Sequence, residues 1–190
     1  MDDLQAPSSF KGHFLIAMPG LQDPNFFQTV VLLCEHNAEG ALGVVINRVH
    51  PTLKAKDIFD ELKIPCIQEA AGIPLHIGGP VHQGGLFILH GPPFGWEGTL
   101  AVTETLALSN TMDLLRLLGK GEGPEQFMIV LGCAGWGPGQ LDSEILENVW
   151  LTTPADDEVI FTVEAENQWN EAIRRMGIDP VSLSSAAGHA

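Results

Sequence analysis

Positive charge is scarce in this chain. Nine Lys and Arg stand against 24 Asp and Glu, a formal net charge of -15 over 190 residues. A surface that binds duplex nucleic acid concentrates Lys and Arg so that phosphate contacts release counterions. Here Lys11, Arg48, Lys54, Lys56, Lys63, Arg116, Lys120, Arg174 and Arg175 are scattered, and Asp57, Asp60 and Glu61 interleave with the densest group. Direct nucleic-acid binding is therefore not expected. Long apolar runs are also missing. Nothing approaches the ~18 consecutive apolar residues that span a bilayer, and the start Met1-Asp-Asp-Leu is acidic where a secretory signal is cationic. The expectation is a soluble cytoplasmic protein with no membrane partner. Cysteine is limited to Cys34, Cys66 and Cys133, widely separated and without a CxxC pair, so neither a disulfide framework nor a zinc module is indicated.

The short signatures of common chemistries are absent as well. There is no GxSxG for a serine hydrolase and no GK[ST] for a phosphate loop. Seven histidines, His13, His36, His50, His76, His82, His90 and His189, include neither HxH nor HExxH, and His76-x5-His82-x7-His90 has no recognised ligand geometry. No metal and no cofactor is implied.

What is present is 45% hydrophobic content, enough for one domain over residues 1–190, with a leader over 1–10 and a small polar tail over 182–190. Phe14 to Ala17, Thr29 to Glu35 and Ala41 to Asn47 read as strands, the last two joined by a loop of about five residues at His36 to Gly40. Asp57 to Lys63 reads as a short helix, and Leu75 to Ile77, Leu86 to Leu89 and Leu100 to Val102 as strands. Ser109 is placed to cap a helix carrying Met112, Leu115 and Leu118. Phe127 to Leu131 and Val159 to Val163 read as strands, each followed by a helix, marked by Leu141 and Ile145 and by Trp169, Ile173 and Met176. Hairpin-like strands with isolated helices, and no regular βαβ alternation, give an α+β class with a mixed, mainly antiparallel sheet.

The segment Ile129 to Ile145, "IVLGCAGWGPGQLDSEI", passes from strand through four glycines into a helix, an arrangement able to aim backbone amides at an anion. It is not GxGxxG, and Trp136 and Pro138 make it bulkier than a phosphate cradle. A structural corner and a small-ligand loop both fit. In either, Gly137 is expected to adopt a positive φ or to let helix and strand approach closely. Two thiols are candidate nucleophiles. Cys133 precedes the glycine loop, and Cys34 would share a strand face with His36 as a thiolate–imidazolium pair.

Several segments together resemble one family across nearly the whole chain. They are "HFLIAMPGLQDPNF" (13–26), "VVLLCEHNAEGALGVVINR" (30–48), "GGPV" (78–81), "FILH" (87–90), "GCAGWGPGQLDSEILENVWL" (132–151) and the terminal "AGHA". The chain resembles the AlgH/YqgE-type bacterial proteins, often labelled transcriptional regulators and without a settled activity. The resemblance implies an α+β fold in which a bifurcated sheet curls into a small barrel surrounded by helices. Gln28-Thr29 and Gly84-Gly85-Leu86 depart from the family pattern and lack its two arginines, so anion recognition through those groups is not carried over.

The expected function is non-enzymatic: binding of a small molecule or protein partner, with an indirect regulatory role. The expected binding residues are Asn47, Gly78, Gly79, His90, Trp136 and Gln140, gathered at strand ends around one cleft. The rival is a thiol-dependent enzyme or redox sensor using Cys34 with His36 or His90.

Overall fold

The computed structural model describes residues 9–187, the side chains of 184–187 excepted. Most of the expected leader, and residues 188–190 of the expected tail, lie outside the described residues.

The N-terminal third forms a meander. Strands β1 (His13–Ala17), β2 (Val30–Asn37) and β3 (Gly40–Val45) pair antiparallel in sequence order. Their apolar residues are buried on both faces, which explains runs such as Val30 to Cys34 without polar alternation. The β2–β3 hairpin is tighter than expected. Asn37 lies opposite Gly40, and the Asn37 Oδ1 accepts from the Glu39 amide at 2.8 Å, so only Ala38 and Glu39 form the turn.

The strands β4 (Val49–Lys54), β5 (Pro74–Ile77), β6 (Val81–His90), β7 (Leu100–Ala101), β8 (Ala107–Ser109), β9 (Phe127–Trp136) and β10 (Trp150–Pro154) complete one ten-stranded sheet. Its main path runs β10-β1-β2-β3-β9-β6-β8-β7, with β4 and β5 branching from β9. Among the described residues, only the β5–β9 pairing is parallel. The branch has a backbone cause. β9 pairs with β5 through Ile129 to Leu131 and with β3 through Ala134 to Trp136, so two strands must diverge at Gly132. Gly78 sits in the fork, its amide donating to the Leu131 carbonyl at 2.7 Å and its carbonyl accepting from the Val45 amide at 2.8 Å. A Cβ on Gly78 would lie 2.3 Å from the Gly132 oxygen, and one on Gly79 would lie 2.3 Å from the Cys133 oxygen. The "GGPV" glycines therefore let three backbones meet.

The helices are α1 (Ala55–Glu61), α2 (Gln68–Ala71), α3 (Met112–Gly119), α4 (Gln140–Leu146), α5 (Asp157–Phe161), α6 (Ala165–Arg175) and α7 (Pro180–Ala187). Helices α1, α2 and α3 cover a core built on Leu75, Ile88 and Ile129. Helices α5 and α6 cover Phe14, Leu32, Val44 and Val130 on one face, and α4 covers Leu15, Val31 and Leu33 on the other. Trp169 anchors α6 to β1, its indole N–H donating to the Ala17 carbonyl at 2.9 Å.

Four expectations are corrected. The sheet does not close into a barrel: its ends, β10 and β7, do not pair with each other. The curl brings the β7–β8 turn against Gly12, where a Cβ would lie 2.9 Å from the Thr103 methyl, but the two-residue β7 offers too little edge for a closing ladder. Residues 159–163 fall largely in a helix rather than a strand. Asp156 caps α5 by accepting from the Glu158 and Val159 amides, while Val159 and Ile160 are buried. The cap of α3 is Thr111, which accepts from the Leu114 amide; Ser109 ends β8 instead. The tail expected from 182 begins inside α7.

Candidate functional site

The glycine segment is more ordered than its composition suggests. Residues 132–136 are the second half of β9, and the turn proper is Gly137 to Gly139. Gly139 caps α4 with φ 69°. Gly137, contrary to expectation, has no positive φ, and a Cβ there would meet nothing nearer than the Gln140 Oε1 at 3.9 Å. The polar groups turn inward on Glu144. Its Oε2 accepts the indole N–H of Trp136 at 2.9 Å and that of Trp150 at 2.7 Å, and its Oε1 accepts from the Gln140 Nε2 at 2.9 Å. The Gln140 Oε1 in turn accepts from the Gly137 amide at 3.0 Å. Phe26 packs on both tryptophans, edge-on to Trp150 with centroids 5.5 Å apart. The loop is a corner clamp whose donors and acceptors satisfy one another.

The two thiols are buried. Cys34 is 0% exposed, and burial, followed by the nearby Cys133, pushes its thiol pKa up to about 12. Cys133 is raised by burial too. Cys34 and His36 are not partners. A bulge between Leu33 and Glu35 breaks the alternation, so Cys34 sits in the core under α5 and α6 while His36 lies opposite Ala41, on the side covered by α4. The His36 Nδ1 accepts from the Phe10 amide at 3.0 Å, which leaves the ring proton on Nε2, 3.5 Å from Asp142.

His90 is 0% exposed and belongs to a directed chain. The Gly91 carbonyl can only accept, so the His90 Nδ1 donates to it, at 2.6 Å. The Nε2 then accepts from the Ser109 hydroxyl at 2.9 Å, and Ser109 accepts from Thr99 at 2.7 Å. Burial lowers the His90 pKa, with the Gly91 bond opposing, which favours the neutral imidazole that this bonding pattern requires. Phe94 and Trp96 cover the ring. Ser109 is 1% exposed, and this hydrogen-bonded chain ties β6 to β8.

The six residues expected around one cleft are dispersed. His90 lies opposite Phe127 at one end of β9 and Trp136 is at the other, roughly 25–30 Å away along an extended strand. Gly78 and Gly79 occupy the fork between them. Asn47 ties β3 to β2, its Oδ1 accepting from the Val30 amide at 2.8 Å and its Nδ2 donating to the Gln28 carbonyl at 2.9 Å. Only Trp136 and Gln140 come together, through Glu144.

A different place carries unspent polar groups. Between β4, β5 and the α5–α6 corner lies a cavity of about 380 Å³ lined by Val49, Pro74, His76, Phe127, Ile160, Phe161, Thr162, Glu164, Ala165 and Gln168, among others. Among the described residues, two side chains hold a buried polar atom with no hydrogen-bond partner, the His76 Nδ1 and the Gln168 Oε1, and both line this cavity. His76 is 8% exposed and Gln168 2%. Burial lowers the His76 pKa to about 4, with the Ile129 backbone opposing. The Gln168 Nε2 donates into three carbonyls, those of Val159, Ile160 and Val163, at 2.8, 3.1 and 3.2 Å. That fixes the amide orientation, because the reversed side chain would set oxygen against three oxygens.

Sequence reasoning missed Glu144, Trp150, Ser109, His76 and Gln168 as site-building residues. Glu144 was accessible through its i+4 spacing from Gln140 on one helix face. Gln168 carries no sequence signal: its role depends on the carbonyls that α5 leaves open.

Among the described residues no three His, Cys, Asp or Glu side chains cluster as a metal site, and no helix is long and apolar enough to cross a membrane. A family model described as AlgH-like matches residues 14–181. A UPF0301 protein of Desulforapulum autotrophicum is 51% identical over 180 residues, covering 95% of each chain, and one of Methylococcus capsulatus is 48% identical over 178 residues, covering 93% of this chain and 94% of its own. The solution structure of the AlgH protein from Pseudomonas aeruginosa aligns with TM-score 0.79 at 40% identity, over 97% of this chain and 98% of that one. A crystal structure from Corynebacterium diphtheriae shares the fold, with TM-score 0.70 at 23% identity over 93% and 90% of the two chains. With the whole span from β1 to α7 matched in this way, the chain belongs to the AlgH-like, UPF0301 family.

Proposed function

We propose that this protein acts by binding a small molecule rather than by catalysis, in the cavity between β5 and the α5–α6 corner, and that any regulatory role is exerted indirectly through the bound state. The observation that carries this reading is the pairing of His76 and Gln168: two buried, unpartnered polar atoms on one cavity of about 380 Å³ that also has apolar wall from Val49, Phe127, Ile160 and Phe161. Small-molecule sites are concave, mostly apolar and equipped with a few convergent polar groups. Buried polar groups are otherwise almost always paired. Elsewhere the polar side chains of Asn47, His90, Trp136 and Gln140 are bonded within the fold, and neither Cys34, Cys133 nor the Ser109 hydroxyl is both reachable and activated. A net charge of -15, with Arg175 spent on Asp156, Glu158 and Glu171, argues against direct DNA reading.

The test is a thermal-shift screen of small metabolites on the wild type and on Thr162→Trp, with mass spectrometry of each hit for conversion. Thr162 is an exposed cavity residue, so the substitution obstructs the entrance without disturbing the core. The expected result is stabilisation of the wild type by compounds that are recovered unchanged and do not stabilise Thr162→Trp. Conversion of a hit, or stabilisation equal in both proteins, contradicts the proposal.

A further inference from the structure

The geometry points to the ligand's chemical class: we infer that the cavity takes an uncharged, carboxamide-type head on an apolar body and discriminates against the matching carboxylate. This rests on the cavity being the ligand site and adds what it selects.

The argument starts from Gln168. With its Nε2 committed to the carbonyls of Val159, Ile160 and Val163, its free atom is an acceptor only. A ligand group beside it must bring an N–H or O–H donor. A carboxylate brings none and would face the Oε1 lone pairs as a like partner, with Glu164 also in the cavity wall. His76 does not offset this. It is buried, its pKa is lowered to about 4, and as a neutral ring it supplies one nitrogen and no charge to balance an anion. A cationic head pays the same desolvation that keeps His76 neutral.

The same wall also asks for an acceptor. Helix α6 starts at Ala165 beside the cavity, and no side chain caps its first turn; the Asn167 amide donates to the Glu164 carbonyl at 2.8 Å, which leaves the Ala165 and Glu166 amides without an intrahelical partner. One planar group meets both requirements. The NH2 of a carboxamide donates one hydrogen to the Gln168 Oε1 and the other to the unpartnered His76 Nδ1, which accepts because the ring's single N–H faces the Ile129 backbone. The carboxamide carbonyl accepts from the free amides of α6. Phe127, Ile160, Phe161 and Val49 supply the apolar surface for the remainder of the ligand.

The experiment is isothermal titration of the full chain at about pH 7 with 2-phenylacetamide and with phenylacetate, two probes of one shape that differ in charge and donors. It is repeated on Thr162→Trp, and on His76→Phe, which keeps the ring shape and removes the unpaired nitrogen. The expected result is saturable amide binding with a Kd of about 1 mM or tighter. The carboxylate should bind at least about tenfold more weakly, and the amide should weaken severalfold in His76→Phe and be lost in Thr162→Trp. Carboxylate binding as tight as the amide, yet still lost in Thr162→Trp, overturns the ligand class and leaves the cavity standing. Amide binding that both variants leave unchanged overturns the cavity itself, and the class with it. An amide that does not bind the wild type overturns the class, the metabolite screen deciding the cavity separately.

Discussion

Trp136 and Trp150 share one acceptor: both indole N–H groups end on the Oε2 of Glu144, at 2.9 and 2.7 Å. Strand β9, strand β10 and helix α4 are thereby joined at one carboxylate, with Gln140 bonded to its other oxygen. Glu144→Ala leaves three donors without their acceptor. At about 1–3 kcal/mol for each unsatisfied group, discounted for partial access to water, the expected loss is about 2–4 kcal/mol. Thermal unfolding should show Tm lowered by about 5–15 °C. A shift under about 2 °C would mean that the clamp is ornamental.

The buried thiols make a kinetic prediction. Cys34 and Cys133 are fully buried and Cys66 is partly exposed. Native protein treated with iodoacetamide at about pH 8 should gain one adduct, on Cys66, and the other two cysteines should react only after unfolding. Peptide mapping that finds Cys34 modified at the rate of a free thiol would restore the thiol chemistry set aside above.

His76 gives a pH dependence with a defined sign. Its folded pKa, about 4, lies below the ordinary 6.5, so between these values the unfolded chain binds the extra proton. Its contribution is fully present above about pH 6.5, is lost progressively as the pH falls towards 4, and changes no further below that. The loss amounts to about 3 kcal/mol. Urea unfolding at about pH 7 and pH 4.5 should show a smaller acid penalty in His76→Phe than in the wild type. Equal penalties would mean that the ring is already solvated.

Glycines of one composition should behave oppositely. Gly78→Ala drives a Cβ to 2.3 Å from a backbone oxygen in the sheet fork and is expected to cost more than about 3 kcal/mol or to prevent folding. Gly137→Ala meets only the Gln140 Oε1 in ordinary contact at 3.9 Å and should stay within about 0.5 kcal/mol. Denaturant midpoints in the reverse order would contradict the assignment of the fork.

These contrasts mark what could be read from the sequence. Periodicity located β1 to β3, α1, α3, β9 and α6, because burial on one or both faces leaves a pattern in the residues themselves. It misread 159–163 because a short apolar run looks alike in strand and helix, and Asp156 decides between them through two backbone amides. The bulge at Cys34 was not legible, and with it went the supposed pairing with His36. The motif residues were recognised and their use was not. Asn47, His90, Trp136 and Gln140 have the polarity of binding groups, yet each finds its partners inside the fold. The cavity residues His76 and Gln168 lie far apart in sequence, and only the α5–α6 corner brings them to one wall.

The most direct test of the central claim is nuclear magnetic resonance of the Gln168 side-chain amide and the His76 ring during titration with 2-phenylacetamide. Saturable shifts at these two residues that follow the calorimetric Kd, with the Trp136 and Trp150 indole signals unmoved, are the predicted result. Saturation that moves the indole signals and leaves Gln168 and His76 in place would contradict it.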